Sequence, residues 1–170
     1  GNVQTLTTTV QADGTFSVDV PIALSEGEYS VEASVTDAAG NTATDANTGE
    51  IDTTPPDITL DAQGTENDTT PSLSGSTDAA PGSTVTLTVT DSAGNVQTLT
   101  TTVQADGTFS VDVPVALAEG EYSVEASVTD AAGNTATDAN IGEIDTTPPD
   151  ITLDAQGTDN DTTPTLSGTT

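Results

Sequence analysis

Residues 84–113 read TVTLTVTDSAGNVQTLTTTVQADGTFSVDV, and this stretch decides the fold. Valine, leucine or phenylalanine alternates with threonine, serine or aspartate over residues 84–90 and 108–113. Because successive side chains of a strand point to opposite faces of a sheet, a period of two predicts half-buried strands. The segments Asp-Ser-Ala-Gly-Asn and Ala-Asp-Gly between the runs are typical of tight turns.

The same pattern continues on both sides, so that seven strands are predicted between residues 51 and 143. Polar turns separate them at spacings of roughly 10 residues, and no helical period occurs. The residues expected to mark these strands or face the core are Ile58, Leu60, Leu73, Val85, Leu87, Val89, Val96, Val103, Phe109, Val111, Val113, Tyr122, Val124, Ala126 and Val128. The pattern predicts an all-β chain of tandem immunoglobulin-like seven-strand β-sandwich domains.

An internal repeat organises the chain. Residues 1–77 align with residues 94–170 at a period of 93 residues and differ at six positions: Ile22/Val115, Ser25/Ala118, Thr48/Ile141, Glu66/Asp159, Ser72/Thr165 and Ser76/Thr169. That period is the size of one sandwich domain. With the Pro-rich segment Ile-Asp-Thr-Thr-Pro-Pro as boundary, residues 51–143 are expected to form a complete repeat. Residues 1–50 would be the C-terminal part of the preceding repeat and residues 144–170 the N-terminal part of the next, neither able to close its own core.

The composition excludes several classes of function. The 170 residues contain 28 Asp plus Glu and no Lys, Arg, His or Cys, which gives a formal net charge of -28. Without cationic side chains the chain is not expected to bind nucleic acid or an anionic membrane surface, and no apolar run is long enough for membrane insertion. Thiol, Ser–His and Cys–His catalysis are impossible, so the chain is not expected to be an enzyme. Carboxylates, amides, hydroxyls and carbonyls remain, and these are the ligands of Ca²⁺.

The turns of an up-and-down sandwich gather the acidic residues at its two ends. Ca²⁺ takes six to eight oxygens, a number that several acidic turns and a linker can supply together. The candidate ligands at the C-terminal end are Glu66, Asn67, Asp68, Asp91, Glu119 and Glu121, with Asp145 in the following linker. Those at the N-terminal end are Asp52, Asp57, Asp78, Asp130 and Asn134, near Asp106. Simpler roles stay open: turn capping for Asp130 and Asp106, an Asx turn for 66–68, and solvated linker charges for Asp52 and Asp145.

Several motifs in this order resemble the Ig-like extender repeats of giant bacterial surface adhesins, the type I-secreted, RTX-adhesin-like and biofilm-associated proteins. They are IDTTPPDITLD, NDTTPSLSG, APGSTVTLTV, QADGTFSVDVP and EGEYSVEASVTDAAGN, with near-exact tandem copying. The resemblance implies an extracellular spacer on the bacterial cell surface, stabilised by Ca²⁺ at domain junctions. The adhesive target would be carried by other domains.

The sequence therefore favours a structural spacer whose partners are calcium ions and the neighbouring repeats of the same chain. A second class of function stays open, because Thr84, Thr86, Thr88 and Thr90 share one face of a predicted strand, and Thr98, Thr100 and Thr102 share a face of the next. Such a threonine-rich face is an alternative ligand-binding surface for ice or carbohydrate, although threonine is also a common exposed strand residue.

Overall fold

A computed structural model describes residues 2–158 and 160–170, and its regular elements are all β-strands. They are β1 (Gly27–Thr36), β2 (Thr42–Ile51), β3 (Ile58–Leu60), β4 (Thr65–Glu66), β5 (Ser72–Thr77), β6 (Thr84–Thr90), β7 (Val96–Thr102), β8 (Thr108–Asp112), β9 (Gly120–Thr129), β10 (Thr135–Ile144), β11 (Thr152–Leu153) and β12 (Gly168–Thr169). Asp159, the counterpart of Glu66, lies outside the described residues.

The chain divides into two compact units. The first contains the residues up to Pro55 together with Ala131–Asn134, and the second contains Pro56–Asp130 and the residues from Thr135 onward. The repeat boundaries inferred from the sequence, at residues 51 and 144, stay a prediction.

The second unit contains the sandwich. One sheet has five strands in the order β4-β10-β9-β6-β7, and the other has three in the order β3-β5-β8. All pairs in the two sheets are antiparallel except β4 with β10, which run parallel with Glu143 opposite Thr65. The predicted all-β sandwich is confirmed, and all seven predicted strands are present. The two-residue β4 is an addition that the sequence pattern did not predict.

The core of the second unit is small and aliphatic. Sixteen buried apolar residues form one cluster, with Phe109 and Tyr122 as its only aromatic members. Leu73, Leu87 and Val85 have no exposed surface. Each fully buried side chain of this size stabilises the fold by about 1.5–3 kcal/mol relative to leaving it exposed. The alternation therefore places these residues inside as expected.

Two glycines allow the close packing of the aromatic rings. A Cβ atom at Gly75 would lie 2.3 Å from the carbonyl oxygen of Thr59 and 2.5 Å from Cζ of Phe109. A Cβ atom at Gly142 would lie 2.5 Å from Cζ of Tyr122. All three distances are far inside van der Waals contact, so any larger residue would displace the ring or the strand.

The β1–β2 hairpin is the only regular element in the described residues of the first unit. The hairpin pairs from Thr36↔Thr42 at the turn to Gly27↔Ile51 at its open end. Phe16 is 58% exposed and Val20 is 48% exposed. These two apolar side chains are therefore largely uncovered.

Candidate functional site at the two ends of the sandwich

The turns of the second unit meet at two opposite ends of the sandwich. At one end the backbone NH of Ala118 donates to Asp91 Oδ2 (3.2 Å), and the Ser92 hydroxyl donates to the carbonyl of Glu119 (2.6 Å). At the other end the NH of Thr77 donates to the carbonyl of Gly107 (2.9 Å). This confirms that alternate turns gather at alternate ends, as the up-and-down trace predicts.

Asp91 organises the end that follows β6. Its Oδ1 accepts hydrogen bonds from the NH groups of Ala93 (3.0 Å) and Asn95 (2.8 Å), and its Oδ2 accepts from Asn95 Nδ2 (2.9 Å) and Ala118 NH. The Asn95 side chain is the main cause that lowers the pKa of Asp91. Asp91 as a whole residue is 6% exposed, and each of its carboxylate oxygens accepts two hydrogen bonds, so Asp91 organises the turn.

The same turn chemistry occurs in the first unit. Asp37, in Asp-Ala-Ala-Gly-Asn, accepts from the NH groups of Ala39 and Asn41 and from Asn41 Nδ2, each at 2.9 Å. Gly40 follows with a φ of 91°, in the left-handed region that glycine adopts without strain. Asp37, the counterpart of the candidate ligand Asp130, therefore caps its own turn.

Two further aspartates bind their own turns. Asp106 Oδ1 accepts from the NH (3.1 Å) and hydroxyl (2.7 Å) of Thr108, and these bonds lower the pKa of Asp106. Asp68 Oδ1 accepts from the NH (2.8 Å) and hydroxyl (3.0 Å) of Thr70. Both are Asx turns of the kind expected from the sequence.

Three of the acidic residues line a shallow depression at the N-terminal end of the second unit. Asp57, Asp78 and Asp106 line it together with Thr59, Ser76, Thr77 and Gly107. Within it the NH of Asp57 donates to Asp78 Oδ1 (2.7 Å), and the Thr77 hydroxyl donates to the carbonyl of Asp57 (2.6 Å). The depression offers carboxylate, hydroxyl and carbonyl oxygens, which are hard ligands.

Glu119 contacts the linker at the opposite end. Its carboxylate accepts hydrogen bonds from the hydroxyls of Thr146 and Thr147, and these two bonds lower the pKa of Glu119. In the first unit Glu26 accepts from Thr53 and Thr54 in the same way. The sequence identified Glu119 as a candidate ligand but did not predict its threonine partners.

The linker aspartates cap the segments that they begin. Asp145 Oδ1 accepts from the NH of Thr147 (3.0 Å), and Asp52 Oδ1 accepts from the NH of Thr54 (3.1 Å). Within the first unit, Asn134 Nδ2 donates to the carbonyl of Asp52 (3.1 Å). Asp52 and Asn134 are therefore close together as expected, and the contact is made by the backbone carbonyl of Asp52.

The remaining candidate ligands at the C-terminal end are Glu66, Asn67 and Glu121. Glu66 is half-buried and its charge, after burial itself, contributes to a raised pKa of Tyr122. The Tyr122 hydroxyl donates to Gln63 Oε1 (3.4 Å). Asn67 and Glu121 are exposed. Glu121 pairs with Glu143 in the β9–β10 ladder.

Within residues 2–158 and 160–170, no three acidic side chains stand close enough together to hold a metal ion. The carboxylates instead bind hydroxyl and amide donors of their own turns and linkers. The same described ranges contain no helix that is long and apolar enough to cross a membrane.

The threonine array is present on the five-stranded sheet. The β6–β7 register places Thr84 opposite Thr102, Thr86 opposite Thr100 and Thr88 opposite Thr98. Thr98, Thr100 and Thr102 are exposed, and the central-strand Thr86 and Thr88 are half-buried. The two strands therefore present three cross-strand threonine pairs on their outer face.

Comparison with known families identifies the class of protein. The profile of the bacterial Ig-like domain matches residues 1–53 and 59–146. The chain therefore belongs to the bacterial Ig-like domain family, in agreement with the sandwich. No curated protein matches the chain significantly.

Solved structures place it more narrowly. The chain is similar to a tetra-tandem repeat in the extending region of a large adhesion protein, with 40% identity, a TM-score of 0.54, and coverage of 88% of this chain and 40% of that one. It is also similar to a Ca²⁺-stabilized adhesin that helps an Antarctic bacterium bind ice, with 30% identity, a TM-score of 0.42, and coverage of 87% and 40%. The chain thus spans less than half the length of these structures. It matches the type of repeat found in large adhesins.

Proposed function

We propose that the chain is a spacer segment of a bacterial surface adhesin, in which copies of one sandwich separate an adhesive region from the cell. The 93-residue period with six differences over 77 aligned residues carries this proposal. Near-identical copies favour a function in which the number of domains sets a length. The similarity to the extending region of a large adhesion protein supports the same role. The role is structural and extracellular, and adhesion or biofilm formation would depend on other domains.

Calcium is the second part of the proposal. Residues 51–143 contain 15 carboxylates and no cationic side chain, so self-repulsion opposes the compact state. The end turns offer carboxylate, hydroxyl and carbonyl oxygens, the donor set that Ca²⁺ prefers. Asp57, Asp78 and Asp106 at the depression, and the linker ends near Asp52 and Asp145, are the places where an ion would bind and stiffen the chain.

The same geometry sets the expected affinity. Because no three acidic side chains of the described residues converge, a bound ion would take most of its oxygens from water, hydroxyls and carbonyls. Few charged ligands give weak binding, as in extracellular calcium modules with Kd of about 10⁻⁴–10⁻³ M. At ten times Kd, an ion that binds only the folded state stabilises it by about 1.4 kcal/mol.

Calorimetric titration with Ca²⁺, combined with melting curves in EDTA, tests this part. Calcium should raise the melting temperature by several degrees. Asp78→Asn should reduce that gain, whereas Asp112→Asn, which removes the same charge from an exposed strand position, should retain it. A melting temperature that is the same in calcium and in EDTA would exclude calcium as a structural element.

The threonine pairs support a second candidate function, the binding of ice or a neutral carbohydrate by the outer face of β6 and β7. Thermal hysteresis would detect ice binding by this face, and retention on a polysaccharide column would detect carbohydrate binding. Thr86→Tyr with Thr100→Tyr should then abolish the effect, whereas Ser72→Tyr on the other sheet should not. A protein without hysteresis or retention has no such function.

A further inference from the structure

Side-chain contacts extend the β9–β10 hairpin beyond its last backbone pair. The ladder ends at Gly120↔Ile144, so Glu119 and the linker residues lie immediately beyond it. There the Glu119 carboxylate accepts hydrogen bonds from the Thr146 and Thr147 hydroxyls. These side-chain bonds attach the first linker residues to the hairpin that precedes them.

The backbone of the same linker residues is held as well. The NH of Asp145 donates to the carbonyl of Glu66 (2.8 Å), and Asp145 Oδ1 accepts from the NH of Thr147. Residues 145–147 therefore bind the end of the second unit through both side chains and backbone. The bonds to Glu119 are charge-assisted, which makes them stronger than neutral hydrogen bonds.

The first unit repeats this arrangement. Its hairpin ends at Gly27↔Ile51, and Glu26 accepts from the hydroxyls of Thr53 and Thr54. Residues 1–50 correspond to 94–143, so Glu26 is the counterpart of Glu119. The same glutamate–threonine contact therefore forms at the end of both hairpins.

We propose that Glu119 with Thr146 and Thr147, and Glu26 with Thr53 and Thr54, are linker clamps that stiffen the connection between repeats without a metal ion. This inference rests on the proposed spacer function, to which it adds a second source of stiffness. Glu119 acts as a positioning residue for the chain that leaves the domain.

The clamp leaves very little free chain. Thr54 is held by Glu26 and Asp52, while Asp57 is held in the second unit by Asp78 and Thr77. Only Pro55 and Pro56 lie between these two attachments. The pyrrolidine ring fixes φ of each proline, so bending is confined to the few remaining backbone angles.

NMR relaxation of the full chain in EDTA tests the clamp. In the parent protein the amides of residues 146–147 should have order parameters near those of rigid backbone, about 0.85, and Glu119→Ala should lower them below about 0.6. The amides of residues 53–54 should stay ordered in the same molecule, because Glu26 is intact. Glu121→Ala removes an equal charge from an exposed neighbouring position and should change neither linker.

Thr146→Val with Thr147→Val separates the hydrogen bonds from the charge, because it removes the hydroxyls and keeps both side-chain shape and the carboxylate. It should loosen residues 146–147 as much as Glu119→Ala does, with the β6 and β9 resonances unchanged in both variants. Either variant with a linker as ordered as the parent in EDTA would overturn the clamp. Calcium titration of the same parent sample reports separately on the calcium proposal, since the clamp is measured without calcium. A multi-repeat chain that is flexible while its clamps are ordered would reject both the spacer function and the stiffening role of the clamps, whereas a rigid chain with disordered clamps would reject the clamps alone.

Discussion

Residues 1–50 and 94–143 have nearly the same sequence and differ in how much structure they form. They differ only at Ile22/Val115, Ser25/Ala118 and Thr48/Ile141. Both copies form the long hairpin in the same register, both bind the linker through a glutamate, and both join a glutamine side chain to the same backbone position. That last contact links Gln4 with Ile22 and Gln97 with Val115, each through two hydrogen bonds.

The difference lies in the segments before the hairpin. Residues 96–102 and 108–112 form β7 and β8, whereas their counterparts 3–9 and 15–19, all of them described, form no strand. Phe109 is 1% exposed and Phe16 is 58% exposed. Turns and the hairpin therefore depend on local sequence, and the sandwich strands depend on the partner strands β5 and β6.

Truncation of a phenylalanine should show the largest difference in stability between the two copies. Phe109→Ala removes a fully buried ring and should lower the free energy of unfolding of the complete repeat by about 3–5 kcal/mol. Phe16→Ala, the same change at an exposed position, should alter it by less than about 0.5 kcal/mol. Urea denaturation measures both. Similar losses in the two variants would mean that the partial repeat has its own closed core.

Substitution of a glycine should show a stability difference of intermediate size between the two copies. Gly75→Ala would press a methyl group against Thr59 and Phe109 and should cost about 1–3 kcal/mol. Its counterpart Gly168→Ala meets the carbonyl of Thr152 at the same 2.3 Å, but lies in the short β11–β12 pair. The control should therefore leave the unfolding transition of the complete repeat unchanged. Equal effects of both substitutions in urea would contradict the assignment of β5 to a closed core.

The smallest of the three effects concerns pH. The hydrogen bonds from Asn95 and its neighbours lower the folded-state pKa of Asp91 below the unfolded value. The resulting stability is complete above the unfolded pKa of about 3.9 and is lost as pH falls through the lower folded value. The difference in melting temperature between the parent and Asp91→Asn should therefore shrink from pH 7 to pH 2.

Asp37→Asn provides the matched control, because Asp37 caps the same type of turn in the first unit. It should leave the melting of the complete repeat unchanged at every pH. A constant difference between the parent and Asp91→Asn across this range would show that the carboxylate charge does not contribute.

The sequence predicts those features that have a local period or a local motif. Alternation identifies β6 and β8, and the Asp-Ser-Ala-Gly-Asn segment identifies the turn that Asp91 caps. The two-residue β4 has no period, and its pairing with β10 joins residues 78 positions apart, Thr65 with Glu143. Its existence therefore depends on tertiary structure that no local pattern contains.

The candidate site was predictable to a similar extent. Turn topology correctly gathers the acidic residues at the ends, because it needs only the strand order. The partners of individual carboxylates depend on which loops meet, as with Asp91 and Ala118, or on the hairpin register, as with Glu119 and Thr146. The expectation that these residues act as metal ligands stays a prediction.

The parallel pairing of β4 with β10 has a mechanical consequence. The chain enters the sandwich ahead of β3 and leaves it after β10, so tension on the two ends pulls β4 and β10 in opposite directions along their common axis. The backbone bonds Glu143 NH to Gly64 (3.0 Å) and Asp145 NH to Glu66 (2.8 Å) are then loaded in shear. Bonds loaded in shear must break together, whereas those of a hairpin pulled at its open end break one after another. The two bonds therefore oppose extension together rather than one at a time.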